Sequence, residues 1–108
     1  MRATQTQRAA WQRRAAHTLT TILREHPHLP VAAWAIASAG CTLTARVSAL
    51  DDSRHSEQVF TAWATALDLT ERRTQCPDGI FIRLWAHGLL DGTQINLSAT
   101  TTTSNDDY

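Results

Sequence analysis

Phe81, Arg83, Trp85 and His87 occupy alternate positions of one run, so an extended backbone there sets two aromatic rings, a guanidinium and an imidazole on one side of a strand. The chemistry such a row offers is binding rather than bond-making. An aromatic face stacks on a planar ring, a guanidinium adds a cation, and the same residue types concentrate at protein interfaces. No nucleophile with a neighbouring base stands in the row.

What assigns the sides is Asp91-Gly92, a strong type I′ turn signal lying between two alternating runs from Ile80 to Thr101. A two-residue loop there opposes Leu90 to Thr93, Gly88 to Ile95, Ala86 to Leu97, Leu84 to Ala99 and Ile82 to Thr101 on one face. The other face opposes His87 to Asn96, Trp85 to Ser98 and Arg83 to Thr100. A slip of one residue would invert the sorting.

The remaining elements must cover the first of these faces. Residues 5–25 read as an amphipathic helix with Trp11, Ala15, Leu19, Ile22 and Leu23 at helical spacing, stopped by Pro27. Val31 to Ala39 is alanine-rich and suits a helix on propensity, yet Ala39-Gly40 as a turn gives a sensible hairpin. It pairs Ile36–Leu43, Trp34–Ala45 and Ala32–Val47 on one side, and Ala37–Thr42, Ala35–Thr44 and Ala33–Arg46 on the other. The hairpin is the preferred reading. Asp51, Asp52 and Ser53 are N-cap candidates for a second helix whose stripe is Val59, Phe60, Trp63, Ala64 and Leu67. Thr70 to Gly79 is polar and reads as a loop. Residues 100–108 read as a frayed or disordered tail, acidic at Asp106 and Asp107, which leaves residues 1–99 as one α+β domain.

The expected order is α-β-β-α-β-β. Its solution is a four-stranded antiparallel sheet with both helices on one face, a permuted ferredoxin-like arrangement with the second strand of each hairpin central. The uncovered face would then join Phe81, Arg83, Trp85 and His87 to Arg46, Thr42, Thr44, Gln94 and Asn96. Trp11, Trp34 and Trp63 sit on apolar stripes and are expected in the core.

The run His26-Pro27-His28-Leu29-Pro30, followed by Trp34 and Ile36 and then by Phe60-Thr61-Ala62-Trp63, resembles small uncharacterised proteins of unknown function from high-GC actinobacteria. The resemblance implies a bacterial cytosolic setting. It implies no catalytic or binding residue.

A second constellation is made of histidines. His26, His28, His55 and His87 are expected at the end of the sheet away from the Ala39-Gly40 turn, near Asp51, Asp52 and Asp91, where imidazoles and carboxylates could ligate zinc. Their spacing matches no metal motif, and solvated loop histidines are the preferred account. Cys41 and Cys76 read as free thiols at the turn end, away from this group. Ser38 and Ser53 lack a nucleophile-elbow context, and Gly40, Gly79, Gly88 and Gly92 lack phosphate-cradling spacing. Arg8, Arg13, Arg14 and Arg24 in the first helix could follow a nucleic-acid backbone, but a solvated helix face is the preferred reading.

Composition sets the outer bounds. The chain has 108 residues, 43% of them hydrophobic, and a formal net charge of zero, which suits one domain and argues for no global attraction to nucleic acid or membrane. All its basic side chains are Arg, a bias expected of a high-GC genome. Arginines interrupt the N-terminal residues where a signal peptide would be apolar, so the expected location is the cytoplasm. The reading from sequence is a non-enzymatic interaction module without cofactor, self-associating or serving as an adaptor through the open sheet face. A nucleic-acid-binding accessory protein is the second reading, and a metal-dependent enzyme using the histidines is the third.

Overall fold

The computed structural model describes residues 4–37, 40–47, 53–75, 79 and 81–102. Thr4 opens the first helix, α1 (Gln5–Glu25), with a capping box: its hydroxyl accepts from the Gln7 N–H at 3.0 Å, and the Gln7 side chain accepts from the Thr4 N–H at 2.9 Å. Ala15, Thr18 and Ile22 are its buried positions. Leu23, expected on that stripe, is 47% exposed, because it lies about 100° round the helix from Ile22.

The first hairpin forms in the register its side-chain pattern dictates. β1 (Ala33–Ile36) and β2 (Thr42–Arg46) pair Trp34 with Ala45 and Ile36 with Leu43, and the Ala37 N–H bonds the Thr42 carbonyl at 3.0 Å. Gly40 takes φ +80°, a value that suits glycine. Ser38 and Ala39 lie outside the described residues.

The second helix, α2 (Ser53–Ala66), buries Ser56, Val59, Phe60, Trp63 and Ala64, and Leu67 just beyond it, as the stripe required. Asp51 and Asp52, its proposed caps, lie outside the described residues. Its C-terminus is a Schellman motif: Asp68 takes φ +56°, its N–H reaches the Thr65 carbonyl at 3.2 Å, and the Leu69 N–H reaches the Ala64 carbonyl at 2.9 Å.

The expected loop after this helix is instead a strand. β3 (Thr70–Gln75) pairs antiparallel with β4 (Phe81–Leu90), which pairs antiparallel with β5 (Thr93–Thr102). All six β3 residues are exposed, so no apolar alternation marked it. The β4–β5 hairpin has the register expected from Asp91-Gly92, with φ +53° and +78° at the two turn residues as type I′ demands. β5 continues through Thr102, with Thr101 buried, so residues 100–102 belong to the sheet rather than to a tail.

The strands form one sheet in the order β1-β2-β5-β4-β3. The four expected strands keep their expected order, but β2 and β5 run parallel, so the sheet is five-stranded and mixed, and the permuted ferredoxin-like antiparallel arrangement does not hold. The cause is parity. With one additional strand after α2, every later strand points the opposite way.

Both helices pack on one face. Ala15 and Ile22 of α1, Val59, Phe60, Trp63 and Ala64 of α2, and Leu43, Ala45, Leu84, Ala86, Ile95, Leu97 and Ala99 of the sheet form one core. Trp34 meets Trp63 edge to face at 5.5 Å between ring centroids, and the Trp63 indole N–H bonds the Pro30 carbonyl at 2.8 Å. Trp11 is only half-buried. Gly88 faces the helices where the turn after α2 crosses the sheet; a Cβ there would lie 2.9 Å from the Leu69 side chain. Among the described residues, no helix is long and apolar enough to cross a membrane.

Candidate functional site

Strand alternation divides β4 between two surroundings. Leu84 and Ala86 point into the core, while Arg83 and His87 are exposed and Trp85 is half-buried on the opposite side. Phe81 shares that side and is 42% exposed. The register then carries the face across the sheet. Arg72 stands opposite Trp85, Trp85 opposite Ser98, and Ser98 opposite Arg46, giving one row through four strands. A neighbouring row runs Thr70, His87, Asn96 and Thr44, and another sets Thr74 beside Arg83 and Thr100.

The expected residues Phe81, Arg83, Trp85, His87, Arg46 and Asn96 therefore share one face. β3 adds Arg72, flanked by Thr70 and Thr74, which the loop assignment had hidden. Thr70 and Thr74 are the only β-branched residues of Thr70–Gln75, too few to set a strand pattern against the charged and polar residues around them. Arg73, one residue on, points to the helix side and bonds Glu57 at 2.7 Å.

Charge on the open face is of one sign. Among the described strand residues that point there, Arg46, Arg72 and Arg83 are cationic and none is Asp or Glu. Strand spacing and rise put their Cα atoms about 8 to 14 Å apart. That separation is comparable to the Debye length of about 8 Å at physiological ionic strength, so their mutual repulsion is largely screened. At the centre lies a shallow depression of about 310 Å³ bordered by Trp85, His87, Thr44, Gln94, Asn96 and Ser98. The Gln94 side-chain amide donates to the Asn96 side-chain oxygen at 3.1 Å, which ties together two of the side chains that line the depression.

The histidines do not converge. His26 and His28 lie 6.5 Å apart between ring centroids, and His26 packs edge-on against Trp63 on the helix side of the sheet. His87 points from the opposite face, and His55 is exposed on α2. Because β2 and β5 are parallel, the Asp91-Gly92 turn stands at the same end as the Gly40 turn, away from the connector that carries His26 and His28. The Gln94 N–H bonds the Cys41 carbonyl at 2.9 Å and ties the two turns together. Among the described residues, no group of three or more His, Cys, Asp or Glu is placed to hold a metal ion.

Cys41 is a free thiol in contact with Thr93 rather than with a histidine, and Cys76 lies outside the described residues. The α1 arginines belong to the helix layer, on the other side of the sheet from Trp85. No protein-family model matches the chain, nor does any curated protein or solved structure, so the chemistry of this face is its own witness.

Proposed function

We propose that the chain is a cytosolic, non-enzymatic binding module whose working surface is the open sheet face and whose partner is a polyanion. The observation that carries this is the gathering of Arg46, Arg72 and Arg83 around Trp85 on a face with no carboxylate among its described strand residues. A compact anion could be held by the neighbouring Arg72 and Arg83 but would leave Arg46, two strands from Arg83, without a partner. An extended anion spans all three.

Self-association through the same face is disfavoured by its charge. A two-fold axis there would set the guanidiniums of one copy against those of the other, with no carboxylate among the described strand residues of the face to separate them. The partner is therefore unlike the chain, which keeps the adaptor reading and gives it a sign.

Retention on a heparin column tests the proposal. Replacing Arg46, Arg72 and Arg83 together by Ala is expected to lower the salt needed for elution clearly, whereas replacing Arg13, Arg14 and Arg24 of α1 is expected to lower it less. An equal or larger loss with the α1 set, or a dimer in sedimentation that Phe81→Ala and Trp85→Ala dissociate, overturns it.

A further inference from the structure

We infer that the polyanion is single-stranded nucleic acid, laid across the sheet with a base stacked on Trp85 and its backbone on Arg46, Arg72 and Arg83. This rests on the polyanion reading of the same face and adds what recognises the ligand besides its charge.

The centre of the face is not built for charge alone. Trp85 is held half-buried in the 310 Å³ depression, presenting an indole where a run of arginines would serve a simple polyanion equally well. Around it stand two amides, Gln94 and Asn96, and two hydroxyls, Ser98 and Thr44, which can donate to and accept from a base edge. Phe81 lies on the same strand and face, about 13 Å from Trp85, with Arg83 between them. Ring, cation, ring along one strand matches a chain in which aromatic bases alternate with phosphates.

The shape of the face selects single strands over duplex. Five strands span about 19 Å from edge to edge, wider than the roughly 12 Å major groove that admits a helix or a two-stranded ribbon. Bases inside a duplex also have no free π-face for Trp85. An acidic polypeptide would satisfy the arginines and could pair with the amides through its backbone, but a run of carboxylate side chains gives the indole no planar face to stack on.

Anisotropy titrations with a labelled oligothymidylate, a duplex of equal length and a polyglutamate peptide decide the matter. The single strand is expected to bind most tightly. Trp85→Leu should weaken it by roughly 5- to 150-fold without changing the salt slope, as loss of one stacked base does. Trp85→Phe, which keeps a π-face and the packing, should recover much of that loss. Arg72→Gln should instead reduce the slope of log K against log salt by about 0.7. Equal binding of duplex, or polyglutamate bound as tightly with Trp85→Leu harmless, overturns this inference and leaves the polyanion reading standing. Heparin retention indifferent to Arg46, Arg72 and Arg83 removes both.

Discussion

Thr93 is fully buried at the start of β5, where its hydroxyl lies 2.9 Å from that of Thr18 on α1 and 3.3 Å from the Cys41 thiol. A polar group this deep is tolerated only because it is paired, and the pair pins the first helix to the sheet at one point. Thr93→Val is expected to cost about 1–2 kcal/mol in urea denaturation, since it strands the Thr18 hydroxyl. Adding Thr18→Val should cost less than the sum of the single changes, because both partners are then removed together. The pairing registers of both hairpins were legible at this scale from turn residues and alternation. The Thr18–Thr93 contact was not, since a threonine on a helix reads as solvent-facing unless its partner, 75 positions away, is already placed.

Elements reveal themselves in sequence by what they bury. α2 buries a full apolar stripe and was legible almost to the residue; β3 buries no side chain and was invisible. An edge strand that is polar on both faces carries its evidence in backbone bonds alone, and those depend on β4 being beside it. The Arg72 contribution to the candidate site was lost with it. The Arg73–Glu57 pair across this edge is half-exposed on both sides, so it helps to orient β3 while adding little stability. The Schellman turn that delivers the chain into β3 uses Asp68 where glycine is the usual residue. Asp68→Gly is accordingly expected to raise stability by about 0.5–1 kcal/mol, read as a higher denaturation midpoint at unchanged m-value.

For the whole molecule, the layer architecture followed from counting apolar faces, because two amphipathic helices and two hairpins have few ways to cover one another. Strand direction did not, because direction depends on the number of strands crossed and one uncounted strand reverses it. The candidate face survived this error, since facing is fixed by local alternation and not by direction. The proposed histidine grouping did not survive, since it depended on which turns share an end of the sheet. β5 joins the two halves of that sheet, bonding β2 on one side and β4 on the other. A chain cut after Gly92 is expected to lose the cooperative transition in urea altogether, whereas a retained sigmoidal transition would show that α1, β1 and β2 hold together without it.

The central place of β5 also orders events during synthesis. Until Thr93–Thr102 has left the ribosome, the β1–β2 hairpin and the β3–β4 pair have no strand in common, and the surface that gathers Arg46 with Arg72 and Arg83 does not yet exist. A nascent chain therefore cannot present the candidate face early: the same ten residues that join the sheet also bring that face together.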